Sequence, residues 1–211
     1  MAKSNKPGPI TGDDSDNVLI GTEGHDYAIS GYGGNDTLYG NGGNDNLYGH
    51  EGDDTLYGQG DSDFLDGGAG NDRLGWGGFG ADQLTGGSGA DEFFGGPAEW
   101  TNQQVGTVLI TDFETGVDTL DLSRFDADER TAPGIIKGKN TPGNEAFAVV
   151  DSTDGVTPGH LVITTEVDEF GRTVTIVRGY TDTEAGADIE VVLLNPEGVT
   201  DPIILPEDIL L

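Results

Sequence analysis

Between Gly12 and Phe94 an acidic residue and, two positions on, a large apolar residue return about every nine residues. The acidic position is filled by Asn17, Asp26, Asp36, Asp45, Asp54, Asp63, Asp72, Asp82 and Asp91. The apolar position reads Leu19, Ala28, Leu38, Leu47, Leu56, Leu65, Leu74, Leu84 and Phe93. Clear copies of the whole phrase are GNGGNDNLY (40–48), GHEGDDTLY (49–57), GGAGNDRLG (67–75) and GGSGADEFF (86–94). Carboxylates are hard oxygen donors, and each stands behind a glycine-rich turn whose carbonyls can crowd inward. Calcium takes six to eight such oxygens, so one turn supplies too few and two stacked turns supply enough.

The elements that must position these donors follow from the period. The last three residues of each unit form a short strand in which only the middle side chain faces inward, so Leu47 is buried while Asn46 and Tyr48 face out. The first six form a turn in which glycine reaches backbone conformations that strain other residues. Two spacings are ten, with Ser30 and Trp76 as the extra residues. With two repeats per coil, units 18 or 19 residues apart stack. Asp36, Asp54, Asp72 and Asp91 then line one edge, and Asp26, Asp45, Asp63 and Asp82 the other, giving three sites per edge. A further pair, Asn17 with Asp36, lacks one charge.

These residues resemble the RTX parallel β-roll of type I-secreted bacterial proteins, and more closely the C-terminal domain of serralysin-like metalloproteases. The resemblance implies an all-β fold, a right-handed parallel β-roll of nonapeptide repeats closed by an antiparallel, strand-rich C-terminal region. It also implies a ligand set: carbonyls at positions two and four with the position-six Asp of one turn, and positions one and three with the Asp of the next. On this chain one edge would pair Tyr32, Gly34 and Asp36 with Gly49, Glu51 and Asp54. His50, Gly52 and Asp54 would meet Gly67, Ala69 and Asp72, and Gly68, Gly70 and Asp72 would meet Gly86, Ser88 and Asp91. On the other edge, Thr22, Gly24 and Asp26 would face Gly40, Gly42 and Asp45, while Asn41, Gly43 and Asp45 face Gly58, Gly60 and Asp63. The last site there joins Gln59, Asp61 and Asp63 to Gly77, Phe79 and Asp82, with Asp61 departing from the glycine of position four.

The resemblance runs past the repeats. The stretch from Val108 to Ser123, VLITDFETGVDTLDLS, looks like the Asp-Phe block that follows the roll in serralysins. The terminal Glu207, Asp208, Ile209, Leu210 and Leu211 are similar to the uncleaved signal read by type I secretion machinery. The implied organisation is a disordered arm (1–9), a roll (10–96) and a β-rich cap carrying the secretion signal (97–211). Expected cap strands are 105–111, 146–150, 160–165, 173–178 and 189–194, whose alternation suits antiparallel pairing. Residues 131–144, with Lys137 and Lys139, read as a long loop.

Composition points the same way independently. The chain carries 39 acidic against 9 basic residues, a net charge of −30, and Arg73 is the only Lys or Arg between Gly12 and Phe94. Such a surface repels itself and excludes nucleic acid as a partner. The repeat stretch also holds 23 of the 37 glycines, which lose most backbone freedom on folding. Metal binding should therefore be folding free energy here. About six calcium ions would bring the net charge from −30 to −18, and extracellular calcium modules bind at roughly 10⁻⁴ to 10⁻³ M. That range leaves the chain unfolded in a cytosol and folded outside. There is no cysteine and no apolar run of spanning length, and the first nine residues lack the apolar stretch of a cleaved signal peptide. Export through the C-terminal signal is the expected route.

Enzyme signatures fail where they can be tested. His50-Glu51-Gly52-Asp53-Asp54 starts like a zinc-protease helix, but Asp54 stands where the second histidine belongs. Gly87-Ser88-Gly89 is half a nucleophile elbow, broken at Ala90. Acidic stretches at 151–154, 168–169 and 182–188 lack EF-hand spacing and read as solvated. The expectation is a non-catalytic, secreted calcium-binding module. Two alternatives remain: a polysaccharide-binding module of the alginate-epimerase type, or the C-terminal tail of a larger secreted enzyme. Tyr39 and Tyr57, in stacked repeats, could contact a sugar, although packing against each other is the simpler reading.

Overall fold

The computed structural model describes residues 8–77, 80–95, 107–122, 148–150, 160–180, 189–195, 204 and 208–210. Two sheets carry the fold. The larger runs, in spatial order, β1 (Ile10–Thr11), β3 (Ile29–Gly33), β5 (Asn46–Glu51), β7 (Phe64–Ala69), β9 (Ala81–Ser88), β11 (Thr107–Ile110), β16 (Ile189–Leu194), β15 (Thr173–Tyr180), β14 (His160–Val167) and β13 (Ala148–Val150). The smaller runs β2 (Val18–Ile20), β4 (Thr37–Asn41), β6 (Thr55–Gln59), β8 (Arg73–Trp76), β10 (Glu92–Gly95), β12 (Thr119–Asp121) and β17 (Ile209–Leu210). Successive strands alternate between the sheets through the repeats, so two repeats make one coil.

The register follows the period. Leu38 pairs with Leu56 and Leu56 with Leu74 in one sheet; Leu47 pairs with Leu65 and Leu65 with Leu84 in the other. These leucines and Phe93 are fully buried and form one continuous core. Trp76 is buried in the same core and is not the extra residue of its repeat. It pairs with Gly95 in unbroken register, and the extra residue lies beyond it, between Gly77 and Gly80. Several strands are longer than three residues because the parallel ladder continues into the turn: β5 pairs with β7 from Asn46 as far as Glu51. Outside the core, Tyr39 and Tyr57 stack in parallel, ring centroids 5.0 Å apart.

One register assignment is corrected. Ile29, not Ala28, pairs with Leu47 and is fully buried, and Ser30 pairs with Tyr48. The extra residue of this repeat therefore lies between Asp26 and Ile29, and Ser30 is an ordinary strand position. The larger side chain takes the core place because burying it removes more apolar surface from water.

The C-terminal region continues the roll more than it caps it. β11 lies parallel on β9 and β16 parallel on β11, while β12 lies parallel on β10 and β17 on β12. Antiparallel pairing among the described strands is confined to β14 with β15 and β15 with β16; β13 joins β14 in parallel. Strand 105–111 thus departs from antiparallel expectation. The edge of β9 offers an unfinished parallel template, and Val108 and Ile110 extend the core when β11 takes it. At the other end Val18 and Ile20 are exposed and Leu19 is only partly buried. The proposed arm (its residues 1–7), the loop 131–144 and the acidic stretches 151–154 and 182–188 lie outside the described residues.

Candidate metal centre

Each turn between strands ends on a ladder aspartate, and all eight are 3% exposed or less. Their Oδ1 atoms tie the coils together. In the smaller sheet's ladder the amides of Asn17, Asp36, Asp54 and Asp72 donate to Oδ1 of Asp36, Asp54, Asp72 and Asp91 at 2.7, 2.7, 2.8 and 2.9 Å. In the other, the amides of Asp26, Asp45 and Asp63 donate to Asp45, Asp63 and Asp82 at 2.6, 2.9 and 2.9 Å. The second oxygen is different. Oδ2 of Asp36, Asp45, Asp54, Asp63 and Asp72 is buried with no hydrogen-bond partner.

Those oxygens sit where glycine is required. A Cβ on Gly49 would stand under 3.0 Å from both Asp54 Oδ2 and the Gly67 carbonyl of the next turn; on Gly67 it would meet Asp72 Oδ2 and the Gly86 carbonyl. The same convergence joins Asp45 with Gly58 at Gly40, Asp26 with Gly40 at Gly21, and Asp36 with Gly49 at Gly31, the last carbonyl 3.0 Å away. Asp63 Oδ2 likewise lies against Gly58. Five of the six expected pairings therefore place one turn's carboxylate oxygen beside the next turn's position-one carbonyl.

Positions two and four adopt left-handed backbone, which sends their carbonyls onto the next turn. Tyr32, Asn41, His50 and Gln59 have φ of 82°, 72°, 81° and 78°, and Gly68 has 109°. At position four, Gly34, Gly43, Gly52, Asp61 and Gly70 have 90°, 95°, 123°, 67° and 140°. The Gly52 carbonyl points at the Cβ site of Gly70, and the His50 carbonyl at that of Gly68. Five of these residues are not glycine, and such strain, about 1–3 kcal/mol each, persists only where surroundings impose it. At position three, the Ala69 and Ser88 carbonyls accept the Gly52 and Gly70 amides, each at 2.9 Å. Gly42 and Gly60 donate to the Thr22 and Asn41 carbonyls, and Glu51 ends β5.

Two turns are built otherwise. Thr22 and Gly24 are not left-handed; the Thr22 hydroxyl donates to the Gly24 carbonyl at 2.8 Å, and the Thr22 amide and hydroxyl donate to Asp26 Oδ2 at 2.6 and 3.1 Å. Asn17 Oδ1 accepts its own turn's Asp13 amide at 2.8 Å. Both turns satisfy themselves, as the terminal units of a repeat stack must. Gly77, expected at position one, takes position two: its Cβ site meets the Gln59 carbonyl as that of Gly68 meets the His50 carbonyl. Its amide reaches Asp82 Oδ2 at 3.2 Å, and the one-residue shift leaves position one to Trp76. Phe79 lies outside the described residues.

The donor set fits a hard cation. Among the described residues no three acidic, histidine or cysteine side chains converge on one point; two carboxylates per site are joined by backbone carbonyls, an all-oxygen set. Among the described residues the ion pairs between side chains (Arg73–Glu92, Arg172–Asp168, Arg178–Glu166 and Arg178–Glu190) involve no ladder aspartate. Burial pushes Asp63 up to about 8, Asp72 to about 7, and Asp45, Asp54, Asp82 and Asp91 to about 6; Asp36 is also raised. The accepted backbone amide opposes the rise in each case, and facing carboxylates add to it at most of these positions. Uncompensated charge is costly there, and a divalent cation between paired turns would offset it.

A family profile for the RTX calcium-binding nonapeptide repeat matches in four copies, over residues 11–47, 28–56, 39–74 and 76–97. Residues 11–97 are an RTX calcium-binding repeat region. Among solved structures, subunit R3 of the AlgE6 mannuronan C5-epimerase of Azotobacter vinelandii is 23% identical, with 99% of this chain and 86% of that one covered and a TM-score of 0.42. Subunit R2 of the same enzyme is 26% identical over 96% and 92%, with a TM-score of 0.35. No curated protein sequence matches the chain. Among the described residues no helix is long and apolar enough to cross a membrane.

The sequence pattern alone left two features around the RTX roll unseen. Asp118 continues the ladder, its Oδ1 accepting the Asp91 amide at 3.0 Å; its Asp-x-Leu signal was present, but 27 residues from Asp91 rather than 18 or 19. Position five forms a second ladder. Asp16, Asn35, Asp53 and Asn71 accept the amides of Asn35, Asp53, Asn71 and Ala90 at 2.8, 3.0, 2.8 and 2.9 Å. The alternation of acid and amide, legible in the sequence, keeps like charges two coils apart. Of the terminal residues, Asp208 accepts the Gly116 amide at 3.1 Å and is buried with Ile209. Ile209 and Leu210 pair with β12, and Leu211 lies outside the described residues.

Proposed function

We propose that this chain is a secreted, non-catalytic calcium-binding module whose folding is triggered by extracellular calcium and whose terminal residues, Asp208 to Leu211, direct type I secretion. About six ions would lie between stacked turns, held by the ladder aspartates and the turn carbonyls. The observation that carries this reading is the row of buried, unpartnered Oδ2 atoms. With the net charge of −30 and the glycine content of the roll, a chain lacking calcium keeps neither the charge balance nor the entropy balance that folding needs.

Calcium titrated into chelator-treated protein, followed by far-UV circular dichroism with magnesium as control, tests the reading. The expected result is a cooperative coil-to-β transition at roughly 10⁻⁴ to 10⁻³ M calcium, absent with magnesium. A β spectrum that persists in chelator and ignores calcium would remove the ladders as the folding switch. For secretion, a reporter fused ahead of the chain should reach the medium of cells carrying a type I exporter, and stay inside when residues 208–211 are deleted.

A further inference from the structure

The last repeat turn, 86–91, is built on its outgoing side like the interior turns. Gly87 and Gly89 have φ of 103° and 141°. In the interior these positions send carbonyls onto the next turn: the Gly68 carbonyl points at the Cβ site of Gly87, and the Gly70 carbonyl at that of Gly89. Asp91 is 3% exposed; its Oδ1 accepts the Asp72 amide at 2.9 Å, and its Oδ2 lies against Gly86, as the metal-facing oxygens of interior turns lie against their own glycines. No donor among the described residues reaches that Oδ2.

The chain beyond this turn is no longer a nonapeptide repeat, yet it keeps the roll's pattern. Asp118 Oδ1 accepts the Asp91 amide at 3.0 Å, the Thr119 amide donates to the Asp91 carbonyl at 2.8 Å, and Leu120 takes the next place in the buried core. Asp118 is 5% exposed, and the Glu114 amide fixes its Oδ2 at 2.8 Å, leaving Oδ1 on the side of the repeat turn. Asp112 closes the remaining backbone by accepting the Gly86 and Gly87 amides at 2.9 and 2.8 Å.

We propose that Asp91 and Asp118, with the carbonyls of Gly87 and Gly89, form a further calcium site that joins the repeat roll to the C-terminal region. The proposal rests on the reading of the ladder as a calcium ladder and extends it beyond the repeats. Two carboxylates and two carbonyls supply four oxygens, and water completes the six to eight that calcium takes. The ion ties calcium loading to the C-terminal strands, because β12 begins directly after Asp118 and β17 pairs with β12.

Crystals of the full chain grown in calcium, with anomalous data collected at long wavelength, test it. The expected map has peaks between the interior turns and one more between residues 86–91 and 112–118. Interior peaks without the last one would overturn this proposal and leave the ladder reading intact; no peaks at any turn would overturn both. Native mass spectrometry of the full chain gives a second readout. Asp118→Asn should retain one calcium fewer than the unaltered protein, and an unchanged count would sink the assignment. Should that variant fail to fold, the map of the unaltered protein still decides.

Discussion

The two oxygens of Asp36, Asp45, Asp54, Asp63 and Asp72 have different surroundings, and that asymmetry predicts opposite responses to metal. Oδ1 holds the preceding coil through its amide, whereas Oδ2 is buried without a hydrogen-bond partner. Asp63→Asn keeps an amide-accepting oxygen and removes the charge most strongly disfavoured by burial. In chelator at pH 8 the variant should therefore keep more β structure than the parent by far-UV circular dichroism, while in saturating calcium it should have the lower urea midpoint; the two measurements check the sign reversal. The pH dependence has the same origin. These carboxyls have folded-state values raised above about 4, their ordinary range, so the folded, metal-free roll binds more protons than the unfolded chain. Its stability is fully present below that range and is lost as pH rises through about 6 for Asp45 and Asp54, 7 for Asp72 and 8 for Asp63. Metal-free protein should therefore show more β structure by far-UV circular dichroism at pH 4 than at pH 8, and calcium affinity of the folded roll should rise over the same window.

A strand of this roll is too short to stand alone, so its stability lies in what stacks above and below. Leu56 sits between Leu38 and Leu74 with no exposure, and Leu56→Ala should cost about 2–5 kcal/mol in the calcium-loaded protein. The turn is as demanding as the core. Gly70 has φ of 140° with the Gly52 carbonyl pressed against the place a Cβ would take. Gly70→Ala should thus weaken calcium binding at the turns on both its sides, whereas Gly24→Ala, where nothing lies within 4 Å, should leave it nearly unchanged. Calorimetric titration of the two variants separates them. If Gly70→Ala binds calcium normally, close stacking of the position-four carbonyls is not what shapes the sites.

Across the whole molecule, one pair of sheets runs from the first repeat to the terminal strand. Closure is uneven. The C-terminal end is finished by Asp112 on the Gly86 and Gly87 amides, by Phe113 packed against Phe93 with ring centroids 6.0 Å apart, and by β17. Asp208, Ile209 and Leu210 of the proposed export signal are therefore part of the folded edge. Residues near 208–210 should be cleaved readily by protease in chelator and slowly in calcium; equal cleavage rates would separate the tail from the metal-driven fold.

Much of this was legible in the residues because a repeat is a local rule applied many times. The spacing of Asp and Leu determined the all-β coil, the two edges, the stacking of residues 18 or 19 apart and the buried rows of aspartates. It could not determine local departures from the rule, since each depends on partners distant in sequence. Ile29 displaced Ala28 because the neighbouring Leu47 offered a core place for the larger side chain. Tyr32 and Gln59 occupy left-handed backbone that their own residue types disfavour, held there by the coils on either side. β11 and β12 joined the roll in parallel because β9 and β10 presented open edges at the right height. Asp118 became the next rung only when a connection longer than a repeat brought it beneath Asp91. Period is a property of the chain alone, whereas edges, register shifts and closing turns are decided by which backbone groups remain unpaired once the coils have stacked.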